Sequence, residues 1–159
     1  MKNTSLFIGF LGGLIFACIL GWLIMPRLML IEHQSPFGVE ETVKKISDNA
    51  IREGWVVSGV TSLDKSVKKH GGGDLRPVKL INLCQANHAY NILKEDSSRI
   101  VSVMMPCTIS VYQKSDGKTY VGTMNAKLLG TLFGGNVAEV MGGEVAEQQQ
   151  KFIAFVNKK

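Results

Sequence analysis

Apolar and polar positions follow three different patterns along this chain, and each predicts a different element. From Leu6 to Met25 there is no alternation at all, only twenty consecutive residues without a charge. A helix of that length covers the ~30 Å hydrocarbon core of a bilayer, and no polar face interrupts it as a soluble-domain helix would require. After a break at Ser35-Pro36-Phe37-Gly38, Val39, Val43, Ile46 and Ala50 recur at helical spacing. Glu40 and Glu41 in the first turn and Arg52 in the last suit the helix dipole, and Gly54 ends the helix. Trp55 to Leu63, rich in β-branched residues, reads as a strand. Ser62 to Gly73 is polar and reads as a loop or short helix.

Val78 to Leu83 is a second apolar strand, and Ala86 to Glu95 a helix with Ala89, Ile92 and Leu93 on one face. Ile100 to Met105 leads into Pro106-Cys107. Thr108 to Tyr112 and Thr119 to Asn125 flank Ser115-Asp116-Gly117-Lys118, a hairpin turn signal. Two helices close the chain, about Lys127 to Phe133 and Val137 to Phe155, split by Gly134-Gly135; Gly142-Gly143 weakens the second. The order helix, strand, strand, helix, strand, strand, helix predicts an α+β domain, a two-layer sandwich of a mostly antiparallel sheet with helices on one face. The expected organisation is a transmembrane anchor over 1–27, a linker over 28–36 and a soluble domain over 37–159.

The apolar run carries Gly9, Gly13, Ala17 and Gly21, one small residue every fourth position. On a helix these share a face that admits a close partner helix, so other transmembrane subunits are expected as partners beside the lipid bilayer itself. A signal peptide is the rival reading. Its apolar stretch is shorter, ~7–15 residues, and ends in a small-x-small cleavage site; here the run exits through Trp22-Leu23-Ile24-Met25-Pro26-Arg27. Lys2 and the terminal amine at one end, against Arg27, Glu32 and His33 at the other, lean toward an inside amino terminus. The expected location is the inner (cytoplasmic) membrane, single-pass, with the soluble domain outside the cytoplasm.

Of 159 residues, about 130 remain beyond the anchor, enough for one domain with a core. The net charge of +5 comes mainly from scattered lysines such as Lys44, Lys45, Lys65, Lys68, Lys69, Lys158 and Lys159. No dense basic block interleaves with aromatics, so a solvated surface explains them better than nucleic acid does. Three cysteines are present. Cys18 lies within the apolar run, leaving Cys84 and Cys107, which do not make a disulfide scaffold.

Several segments in order resemble a known family: Glu41-Thr42-Val43, Leu75-Arg76-Pro77-Val78-Lys79-Leu80, Leu83-Cys84-Gln85-Ala86-Asn87-His88-Ala89, and Met105-Pro106-Cys107-Thr108-Ile109-Ser110-Val111-Tyr112 followed by Asp116-Gly117. Together they resemble the domain of unknown function 302 family over roughly Phe37 to Val156. The resemblance implies a small α+β domain around a central antiparallel sheet and, as the family name says, no established activity. Gln85-Ala86 stands where many members carry Asn-Pro, and the membrane anchor is an addition to the family's basic domain.

The residues that bear chemistry are Cys84, His88 and Cys107. Cys84 ends one strand, Cys107 begins the next, and antiparallel pairing would bring them to one spot, with His88 in the first turn of the connecting helix. Four readings stay open. The site is inert, with a buried thiol and a surface histidine. Or Cys84 and Cys107 form a disulfide, which needs a Cα separation of ~4.4–6.8 Å. Or thiolate, imidazole and a thioether from Met104, Met105 or Met124 bind soft copper, Met105 being the nearest in sequence, with a helix amino terminus activating the Cys84 thiol. Or Cys84-Gln85-Ala86-Asn87-His88 mimics the spacing of a c-type haem attachment. His70 reads as a loop histidine, and neither a phosphate loop nor a Ser/His/Asp arrangement is identifiable.

These patterns predict a non-enzymatic, membrane-anchored accessory subunit of a larger, electron-transfer-type membrane complex. The alternative is a metal-, haem- or thiol-redox-binding domain built on Cys84, His88 and Cys107.

Overall fold

The computed structural model describes residues 2–156, with side chains from Phe10 onward. Helix α1 (Lys2–Met29) contains the apolar run. It passes without a linker into strand β1 (Leu30–Ser35), followed by α2 (Val39–Arg52), β2 (Val56–Ser62), α3 (Leu63–Lys69), β3 (Val78–Cys84) and α4 (Ala86–Leu93). A 3-10 segment (Asp96–Met104) leads to β4 (Cys107–Gln113) and β5 (Thr119–Met124). Helix α5 (Ala126–Phe133), α6 (Gly135–Glu139), a π-helical stretch (Val140–Val145) and α7 (Ala146–Phe152) complete the described chain. The five strands form one sheet in the order β1-β5-β4-β3-β2, every neighbouring pair antiparallel. The α+β class and the antiparallel sheet are therefore as expected.

One strand is new. Residues 30–35, expected within a linker, pair along their whole length with β5, from Leu30 opposite Met124 to Ser35 opposite Thr119. The Oγ of Ser35 and the Oγ1 of Thr42 share a buried 2.7 Å hydrogen bond that ties the end of β1 to α2.

Register sorts the sheet residues by face, because side chains alternate along a strand. Ile81 lies opposite Ile109, and Val111 opposite Val121; with Leu83 these form the inner face and are almost inaccessible to solvent. Helix α2 lays Val43, Ile46 and Ala50 into the same core. It ends as its sequence implies. Gly54 has φ 80°, Trp55 N donates to Ala50 O at 3.0 Å and Gly54 N to Ile51 O at 3.0 Å, the two bonds of a Schellman cap. The outer face carries Ser110, Tyr112, Tyr120 and Gly122, with the two tyrosine rings stacked at 6.2 Å.

The carboxy-terminal helical stretch departs from a plain α-helix where glycine was expected to weaken it. A Cβ at Gly130 of α5 would meet the backbone nitrogen of Gly142 at 2.5 Å. The helices therefore cross at glycine, and Gly142 falls within the π turn. Asn125 links the two ends of the structure. Its N–H donates to Met29 O at 2.8 Å and its Nδ2 to Leu28 O at 2.9 Å, while its Oδ1 accepts from Leu128 N at 3.1 Å. One side chain thus caps both the carboxy end of α1 and the amino end of α5.

Within α1, Phe10–Met29 is a twenty-residue stretch long and apolar enough to cross a membrane, and none of it is buried against the rest of the chain. Of the small-residue face, Gly13 and Gly21 have no neighbouring atom within 4 Å of a Cβ position and Ala17 is exposed. Gly9 lies outside the described side chains.

Candidate functional site

Strands β3 and β4 are neighbours with Leu83 opposite Cys107, so Cys84, one residue on, is brought to the same end of the sheet. Helix α4 starts two residues later. Its cap is Gln85, whose side chain accepts from His88 N at 2.8 Å. That bond fixes the first turn and turns His88 inward. Cys84, His88 and Cys107 all line one cavity of about 40 Å³, together with Trp55 and the methionines Met104, Met105 and Met141. The convergence inferred from strand order is present.

The roles differ from those expected. His88 is not a surface histidine; it is 7% exposed. Its ring nitrogens both have partners, Nδ1 facing Glu144 Oε2 at 3.1 Å and Nε2 facing Gln148 Oε1 at 2.9 Å. Trp55 Nε1, which only donates, also reaches Gln148 Oε1 at 2.8 Å. The indole therefore fixes that atom as the amide oxygen, and the oxygen in turn requires a proton on His88 Nε2. Both ring nitrogens of His88 are thereby engaged, one by Gln148 and one by Glu144. The rings of Trp55 and His88 lie 5.5 Å apart, and Trp55 meets Phe152 edge-on at 5.4 Å.

This network removes His88 from the set of free ligands. Among the described residues no group of three or more His, Cys, Asp or Glu is arranged to hold a metal ion. A Cys84–Cys107 disulfide is not formed either; both cysteines are free. The two side chains leave the sheet in different directions. Cys107 is level with inward-facing Leu83, whereas Cys84 is the next residue along β3 and has opposite parity. Burial pushes the Cys107 thiol up to about 11, the neighbouring Cys84 adding to the shift. Cys107 is thus a thiol at neutral pH and a poor nucleophile. Haem does not fit, since a site for a ligand of drug size needs ~300–1,000 Å³ and this cavity is far smaller.

Of the methionines considered as thioether donors, Met104 and Met105 line the cavity and Met124 does not, being paired with Leu30 at the far side of the sheet. Met141 takes its place from the π turn. Glu144 and Gln148 carried no local signal beyond i, i+4 spacing on one helix face. Their pairing with a histidine some sixty residues earlier is a product of tertiary packing. His70 is exposed and its Nδ1 lies 2.8 Å from Ser66 O at the end of α3, a local turn contact.

The family model of the domain of unknown function DUF302 matches residues 31–156, beginning just past α1. Among solved structures, the crystal structure of an uncharacterized conserved DUF302 protein from Bacillus stearothermophilus superposes with a TM-score of 0.70 at 17% sequence identity. The superposition covers 82% of this chain and 99% of that one, and at that identity the likeness is one of fold. No curated protein matches the chain.

Proposed function

The chain belongs to the DUF302 family, and from that premise we propose that it is a non-enzymatic accessory module held at a membrane by α1. The domain would lie outside the cytoplasm, beside the transmembrane subunits of a larger complex. One observation carries this reading: Phe10–Met29 is apolar, long enough to span, and left uncovered by its own chain except at Met29, which touches the core. Water is a poor solvent for such a surface, since each buried Å² of apolar area is worth about 25 cal/mol; lipid or a partner helix is the natural cover. The face of Gly13, Ala17 and Gly21 is open for the second of these. Because α1 runs straight into β1 and Asn125 clamps the junction, the domain is held at a fixed attitude to the anchor. Extraction of the full chain in mild detergent with in-membrane crosslinking tests the proposal. Co-purifying membrane subunits, lost when Gly13 and Gly21 are changed to leucine, are expected; a solitary monomer that crosslinks to nothing would refute it.

A second reading has its own observation in favour. Cys84, Cys107 and three methionines surround one cavity, which suits a domain that binds a soft ligand. In this reading His88 shapes the wall of the site through Glu144, Gln148 and Trp55. Such a domain would need no catalytic set, and none is identifiable among the residues at the cavity.

A further inference from the structure

We propose that the cavity between α4, β3, β4 and the π turn takes a single soft monovalent cation of the Cu(I) class, held by Cys107 and methionine thioethers and not by His88. This rests on the binding-domain reading and is independent of how α1 is covered.

Sulfur is concentrated at this cavity. Residues 30–156 contain six sulfur-bearing side chains: Cys84, Met104, Met105, Cys107, Met124 and Met141. All but Met124 line this one cavity. They arrive from four separate segments, the end of β3, the 3-10 segment and the residue after it, the start of β4, and the π turn. Sequence proximity therefore does not account for the clustering.

Size and donor type then narrow the ligand. About 40 Å³ holds an ion or a water and excludes an organic cofactor. No carboxylate lines the cavity, so hard cations that want oxygen ligands have nothing to bind. Gln85 lines it, but its side-chain oxygen already caps α4. Zinc needs four nitrogen or sulfur ligands in its structural sites, and both nitrogens of His88 are committed to Glu144 and Gln148. Thiolate and thioether donors select Cu(I) among the first-row ions.

Charge points the same way. The cavity walls are otherwise apolar, with Leu83, Ile92, Val101 and Val145 among them, and a buried net charge is costly there. A monovalent cation on one thiolate is neutral overall, and thioethers add donors without charge. On binding, the Cys107 S–H bond is replaced by a sulfur–metal bond and the proton leaves to solvent. The metal stays in the +1 state and no electrons are exchanged.

The test uses the full chain in detergent, with Cys18→Ser to remove the thiol in α1, reduced and titrated anaerobically with Cu(I) against a chromophoric Cu(I) chelator. One equivalent withheld from the chelator is expected, with X-ray absorption at the copper edge showing a sulfur-only coordination shell. Cys107→Ser should weaken binding by more than the roughly 10–100-fold of a change outside the ligand shell. Met141→Leu, which preserves bulk and apolarity, should weaken it by about tenfold while leaving the thermal unfolding midpoint near that of the parent. Binding unchanged in both variants, or nitrogen in the coordination shell, would overturn the proposal. So would a failure to retain Cu(I). In that case native mass spectrometry separates the two levels: another small species held by the chain leaves a binding domain with a different ligand, and a bare chain removes that reading as well.

Discussion

Helices α1 and α2 both carry large apolar side chains, yet these meet opposite fates. Helix α2 alternates. Val43, Ile46 and Ala50 face the sheet and are buried, while Lys44, Asp48 and Arg52 face water. Helix α1 has no second face. Phe10, Phe16, Trp22 and Leu23 are all more than 60% exposed, on every side of the cylinder. The difference teaches what an apolar count alone does not: a helix with a polar counter-face can lie between core and water, and one without it needs apolar cover on every side. It also sets the two halves of the molecule apart, because only Met29, at the end of α1, packs against the domain's core.

That separation is open to attack by substitution. The largest effect is expected in the core, where Ile81, with no exposed surface, is truncated. Ile81→Ala should cost about 2–5 kcal/mol in chemical denaturation, whereas Leu14→Ala in α1 should leave the domain's unfolding unchanged. An equal loss in both would show that α1 packs on the domain. Next comes the helix crossing. In Gly130→Ala the new Cβ would lie 2.5 Å from Gly142 N and 2.9 Å from Gly142 Cα, backbone atoms that cannot rotate away, so about 1–3 kcal/mol should be lost.

The junction itself is a smaller term. Asn125→Ala removes the cap of α5 and the side-chain bond to Leu28 O, at about 0.5–2 kcal/mol. The same variant should broaden the angle between α1 and the domain, measurable by spin-label distances across the junction. Smallest is the surface clamp on β1. Hydrogen bonds from Lys114 and Tyr112 hold the Glu32 carboxyl below its ordinary value of 4.5. Its contribution is present above that value and fades as pH falls through the lower folded one. Glu32→Gln should therefore flatten the acid limb of the melting curve by less than about 1 kcal/mol, the scale of an exposed pair.

The sequence made these elements legible to different degrees, for physical reasons. Helix α2, β3 and the β4–β5 hairpin have strong local signatures: a 3.6-residue stripe, a β-branched run, and Asp116-Gly117, where Gly117 has φ 77°. Strand β1 does not. Leu30 to Ser35 holds Glu32, His33 and Gln34 and reads as a polar linker; only its pairing with β5 makes it a strand. The convergence of Cys84 and Cys107 followed from strand order, and His88 from the helix between them. Their roles did not follow. Strand parity gives the two thiols different directions at one cavity, and the network that occupies His88 is built from Trp55, Glu144 and Gln148, which only the folded chain assembles. The π turn at Gly142 likewise reflects a helix crossing that local propensity does not encode.

What covers α1 decides where the domain sits. Flotation of alkali-washed membranes from cells expressing the full chain, with amino-terminal sequencing of the floated protein, tests this directly. The prediction is a protein that floats with the lipid and still carries residues before Pro26. A chain that begins beyond Pro26, or that remains with the soluble fraction, would contradict it.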